Sequence, residues 1–213
     1  MKLLNSDDPC PTEFYIFIND LNMITENNLR VAGSLFSGAF GSFIDQEFLE
    51  KYVSGKATYL PYRGTSMDLK SISPYCFSTI SNYRLEHDAE MYREIHHPFF
   101  PSRLSAIFAF GDFKTCQEVA DKHGWDIRTV KRFSLTDNPL NRVVKVNMEH
   151  VSLARDAYIK GSLMEAEINR LWRGYWTGFG NIKMDLPLSL TSRKSYESGV
   201  IWEYLIEGVV KLI

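Results

Sequence analysis

Three kinds of side chain in this sequence could handle an anionic ligand and a developing positive charge. They are an arginine at a strand end, hydroxyls at strand starts, and a carboxylate inside a late apolar strand. Arg63 lies in TYLPYRGTSMDLK, residues 58–70, between Tyr62 and Gly64. A guanidinium offers a rigid fork of donors suited to a pyrophosphate, and the adjacent glycine lets ligand and backbone approach closely. The same arginine also reads as an exposed residue making a surface ion pair. Glu203 sits between Trp202 and Tyr204 in VIWEYLIEGVVKLI, residues 200–213. A carboxylate fixed there can stabilise positive charge on a ribose ring as a glycosidic C–N bond breaks, and can accept from a ribose hydroxyl. Glu207 is its rival, although its place before Gly208 suits a hairpin or a bulge. Two stretches supply hydroxyls: CFSTIS, residues 76–81, with Ser78, and PSRLSAIFAF, residues 101–110, with Ser102 and Ser105. Such hydroxyls orient a ribose or a catalytic carboxylate, or they cap the next turn.

The elements that must position these groups can be traced from pattern. Residues 11–56 predict mainly helix, with Asp45 as a cap for QEFLEKYV and acidic residues in its first turn. From residue 57 onward the runs YLPYRG, PYCFSTI, SAIFAF, RVVKVNM and VIWEYLIEGVVKLI are rich in Val, Ile, Phe and Tyr and predict strands. Between them DAEMYREIH, FKTCQEVADKHG and SLMEAEINRLWRGYW predict helices, the second stopped by Gly124. Residues 178–199 predict a long surface loop. Helices followed by strands interrupted by helices argue for an α+β fold, with a helical segment over 1–56 and an α+β domain over 57–213.

Composition narrows the function. The chain has 213 residues, 45% of them hydrophobic and 14% aromatic, enough for one large packed domain. Lys and Arg number 24 against 26 Asp and Glu, so 24 − 26 = −2 leaves no global pull toward nucleic acid or anionic membrane. A phosphate-bearing ligand would need a local cationic site. The three cysteines are odd in number and lack metal-ligand spacing, and MKLLNSDDPC does not read as a secretory leader, so a cytoplasmic setting is expected. VAGSLFSGAFGSF is too short and too rich in Gly and Ser to span a bilayer, so no membrane partner is expected. His96 and His97 are neighbours pointing about 100° apart on a helix, and the other histidines lack partners at ligand spacing, so no metal is expected.

YRGT, a serine-led strand and the late WEYLIEG together resemble the arginine–serine–glutamate pattern of mono-ADP-ribosyltransferases. The resemblance covers residues 57–213. It implies a split β-core, NAD as cofactor, and transfer of ADP-ribose to a macromolecular acceptor, protein or nucleic acid. It also implies that Arg63, with Tyr62 and Gly64, holds the cofactor, that Ser78 or Ser102 and Ser105 support the site, and that Glu203 is catalytic. Arginine-modifying members carry a second acidic residue two positions before the catalytic one. Here that position is Ile201, which argues against arginine as the acceptor.

A second reading comes from TCQEVADKHGWDIRTVKRF, residues 115–133, which fits a helix-turn-helix pattern. Ala120 would pack under the turn at Gly124, and Arg128, Thr129, Lys131 and Arg132 would line a recognition helix. That reading makes the chain a non-catalytic DNA- or protein-binding protein. Against it, IRTVKRF alternates apolar and polar side chains as a strand does.

Overall fold

The computed structural model describes residues 1–19, 22–60, 83–160, 165–187 and 192–213. The fold is α+β, with antiparallel sheets and seven helices among the described residues. The strands are β1 (Glu13–Phe17), β2 (Ser34–Phe36), β3 (Ile107–Ala109), β4 (Val130–Leu135), β5 (Arg142–Asn147), β6 (Lys183–Pro187), β7 (Arg193–Glu197), β8 (Trp202–Glu207) and β9 (Val209–Leu212). The helices are α1 (Met23–Ala32), α2 (Gly38–Gly41), α3 (Gln46–Val53), α4 (Tyr83–His96), α5 (Phe113–His123), α6 (Glu149–Lys160) and α7 (Glu165–Trp176). None of them is long and apolar enough to cross a membrane.

Local signals explain several boundaries. Asp45 caps α3 by accepting from the N–H groups of Glu47 at 2.9 Å and Phe48 at 3.2 Å. Gly124 ends α5 in the left-handed region at φ 71°, where a side chain would be strained. Two expectations are corrected. Residues 11–56 are not mainly helical, because β1 and β2 lie there and pair with β4 and β9. β1 escapes a period-two reading because both its faces are covered: Phe14 and Ile16 enter one core, while Tyr15 and Phe17 pack on another. Residues 178–199 are not one loop, because β6 and β7 pair from Lys183↔Glu197 to Pro187↔Arg193.

The strands form a four-stranded sheet of order β1-β4-β9-β2, a three-stranded sheet of order β3-β8-β5, and the β6-β7 hairpin. Side chains alternate across β8. Tyr204 and Ile206 face the larger sheet, with Phe14, Phe133 and Val210. Leu205 points the other way, into a core with Trp172, Tyr175 and Trp176 of α7. Glu203 and Glu207 share that second face, so the strand presents two carboxyls toward the helical layer.

The chain passes from one sheet to the other at Gly208, between β8 and β9. The Gly208 N–H donates to Ser37 Oγ at 3.0 Å, and the Ser37 N–H donates back to the Gly208 carbonyl at 3.0 Å. A Cβ at this position would lie 2.5 Å from Asn141 Oδ1. Asn141 cannot easily retreat, because its amide nitrogen donates to the Thr136 carbonyl at 2.6 Å. Gly208→Ala is therefore expected to cost about 1–3 kcal/mol by overpacking, read as a lower urea midpoint.

Candidate functional site

β1 and β3 begin as partners and then part. Tyr15 and Phe110 exchange two backbone hydrogen bonds, both 2.8 Å, as an isolated bridge. Beyond it β1 stays with β4 and β3 stays with β8. Between residues 16–19 and 105–108 the two strands line a pocket of about 360 Å³. Asn22, Thr25 and Asn28 of the α1 region border it on one side, and Ser152 and Arg155 of α6 on another. Trp125 adds an aromatic wall.

Glu203 reaches this pocket from β8, although the residue is only 4% exposed. Among the described residues no hydrogen bond ends on its carboxylate. Burial pushes its carboxyl up to about 7, with Glu86 adding in the same direction and the Arg103 and Arg155 guanidiniums opposing. A carboxyl balanced near neutrality beside a pocket can hold a negative charge or exchange a proton at ordinary pH.

The surrounding charges bear on why this carboxyl is displaced. α4 brings Glu86, Glu90 and Arg93 to one buried face. Arg103 Nε donates to Glu86 Oε2 at 2.9 Å and its Nη2 to Glu86 Oε1 at 3.0 Å, while Nη1 meets the Tyr175 hydroxyl. Arg93 Nη2 donates to Glu90 Oε1 at 2.7 Å. The buried carboxyls Glu86, Glu90, Glu203 and Glu207 thus face two buried guanidiniums. Both guanidiniums are claimed by α4 carboxylates, and a buried charge without a close partner takes up a proton more readily.

Glu207 is held differently. It accepts the Ser102 N–H at 3.0 Å and the Ser105 hydroxyl. Burial raises its carboxyl, and those two donors and the Arg93 and Arg142 guanidiniums pull it back. Glu203 lines the pocket and Glu207 does not.

The sequence-derived candidates separate accordingly. Ser105 lines the pocket, but its hydroxyl is committed to Glu207. Ser102 lies deeper and donates its hydroxyl to Glu90 Oε2 at 2.8 Å. Tyr62, Arg63, Gly64 and Ser78 lie outside the described residues. Arg103, from the PSRLSAIFAF stretch, borders the pocket together with Ser152 and Arg155, and the last two were not singled out from sequence. The helical spacing of Val151, Ala154 and Ala157 in HVSLARDAYIK was the signal that would have put Ser152 and Arg155 on a helix.

The helix-turn-helix expectation for residues 115–133 is corrected. The first helix is α5, but Ile127–Thr129 form only one 3₁₀ turn, and Val130 onward is strand β4. β-branching and alternation favour the strand, and pairing with β1 and β9 fixes it. The basic cluster is also largely neutralised in place. Arg128 pairs with Asp126 at 2.7 Å, Lys122 with Glu149 at 2.6 Å, and Arg132 with Glu13 at 3.4 Å.

No family model matches the chain. No curated protein matches it either.

Proposed function

We propose that the chain is an NAD-dependent ADP-ribosyltransferase-like enzyme acting on a macromolecular acceptor, with Glu203 as its catalytic carboxylate. The observation that carries this reading is the placement of Glu203. It is a buried carboxyl, without a hydrogen-bond partner among the described residues, at the wall of a pocket opened by two parting strands. The division of the β-structure into sheets that separate at this point supports a split β-core.

The residues present suit the group. The pocket volume falls within the range of cofactor sites. Phe17, Phe110 and Trp125 offer flat apolar surface, and Arg103 and Arg155 make the lining cationic against one carboxyl. When bound, NAD would supply the ADP-ribosyl group to be transferred. Glu203, once ionised, places a fixed negative charge beside the ribose as positive charge grows there and accepts from its hydroxyl. Arg103, held in place by Glu86 and Tyr175, keeps a cation near Glu203 and favours that ionised form, while the Glu86 carboxylate opposes it. Ser102 and Ser105 act one step back, fixing Glu207 and the loop that leads into β3.

The test is incubation with labelled NAD and a mixture of cell protein and nucleic acid, together with thermal unfolding with and without NAD. The expected result is label transfer and a rise in Tm that follows mass action, about 2.7 kcal/mol of stabilisation at a hundredfold excess over Kd. No transfer and an unchanged Tm would end the proposal.

A further inference from the structure

Arg155 stands out among the charges that border the pocket. Arg103 is buried and tied to Glu86, whereas Arg155 is exposed on α6 and has no ion-pair partner among the described residues. Ser152 lies three positions earlier, so its hydroxyl and the guanidinium sit on one helix face, and both border the pocket. Across the opening, Thr25 and Asn28 of α1 add neutral hydrogen-bonding groups. Among the described residues, Glu203 is the one carboxyl on the pocket wall. The pocket therefore carries an acid on its wall and, at α6, an exposed guanidinium that acts on Glu203 through space but closes no ion pair with it.

We propose that Arg155 and Ser152 form a phosphate-binding subsite at the α6 side of this pocket, anchoring the phosphoester end of the ligand whose reacting end lies at Glu203. A guanidinium fork places two donors in one plane, and a planar carboxylate would be saturated by it. A phosphoryl group keeps a third oxygen out of that plane for the Ser152 hydroxyl. A partly exposed site suits this role, because a doubly charged group need not be stripped of all its water. The inference rests on the pocket being the ligand site of the proposed enzyme, and it assigns the part of the ligand that α6 holds.

The experiment compares wild type, Arg155→Ala and Arg155→Lys by calorimetric titration with inorganic pyrophosphate and with NAD, alongside label transfer from NAD. Arg155 is exposed, so both variants should keep the wild-type Tm without ligand. The expected result is that Arg155→Ala weakens pyrophosphate binding about tenfold or more, while the lysine variant recovers part of it. NAD binding should weaken in parallel, as a rise in KM, read well above pH 7 where Glu203 is ionised with or without Arg155. Pyrophosphate binding equal in wild type and Arg155→Ala, or absent from both, overturns the subsite. If transfer proceeds and its KM ignores Arg155, the subsite falls and the enzymatic reading stands. If pyrophosphate binds through Arg155 but NAD neither binds nor is turned over, the enzymatic reading falls and the phosphate subsite stands.

Discussion

Glu203→Gln is expected to lower transfer from NAD by at least about a hundredfold while leaving a folded protein, because removal of one preorganised charge at a reacting centre typically costs 10²–10³ in rate. The same substitution should stabilise the protein at high pH. The folded-state carboxyl is raised from 4.5 to about 7, so between those values the folded state binds more protons than the unfolded state. Wild-type stability should therefore fall as pH rises from about 4.5 through 7. The cost levels off above 7 at no more than about 3 kcal/mol, taking 1.36 kcal/mol per pH unit. Glutamine carries no charge, so its advantage should be largest above pH 7 and vanish below 4.5. Urea melts of both proteins at pH 4.5 and pH 8 measure this. Activity provides an independent check. Because the carboxylate form is the working one, kcat/KM in the wild type should climb through an apparent pKa near 7 and then flatten. Wild-type-like transfer by Glu203→Gln would remove this residue from the chemistry. A stability gap equal at both pH values would mean that the carboxyl is not displaced.

Arg93→Met is expected to cost about 3–5 kcal/mol, because it strips a buried carboxylate of its cation. Arg93 is 1% exposed and donates to both oxygens of Glu90, with Nε at 3.1 Å from each and Nη2 at 2.7 Å from Oε1. Its Nη1 also reaches the carbonyls of Pro98 and Phe100, each at 3.2 Å, and so ties the end of α4 to the segment that leads into Ser102. Methionine fills similar volume but satisfies none of these groups. For a chain of this size the loss corresponds to a fall in Tm of about 10 °C. Glu90→Gln in the same background should restore more than half of it, since the orphaned charge is then gone while the two carbonyls remain unpaired. If Arg93→Met unfolds at the wild-type midpoint, the buried pair contributes nothing net. If the double variant is no better than the single, the carbonyl contacts carry the effect instead.

Local chemistry made some of this molecule legible from sequence. Asp45 before an acidic first turn and Gly124 after α5 mark their helix ends, because caps act through neighbouring residues. SAIFAF and RVVKVNM contain β3 and β5, because β-branched and aromatic residues suit a sheet surface. Less of the rest could be read. EFYIF lacks polar alternation because both faces of β1 are covered. KMDLP does alternate, with Met184 and Leu186 buried between Lys183 and Asp185, but the Gly-, Ser- and Pro-rich surroundings mask it. IRTVKRF changes from recognition helix to strand because two partner strands, invisible locally, claim its backbone. The separation of Glu203 from Glu207 was the least readable feature. Both lie on one face of β8, and only the distant Ser102 and Ser105 close one of them off while the gap beyond Tyr15 and Phe110 leaves the other open.

The passage of β8 into β9 has a consequence for how the native state is reached. β8 lies between β3 and β5, and β9 lies between β4 and β2, whose partner residues Ser34 and Lys211 are far apart in the chain. Neither sheet is complete until this one continuous stretch docks into both. Such non-local closure places acquisition of the native state among slow, high-contact-order reactions, in the millisecond-to-second range. It also couples the two sheets, so a change that loosens the β8–β9 passage is felt by both.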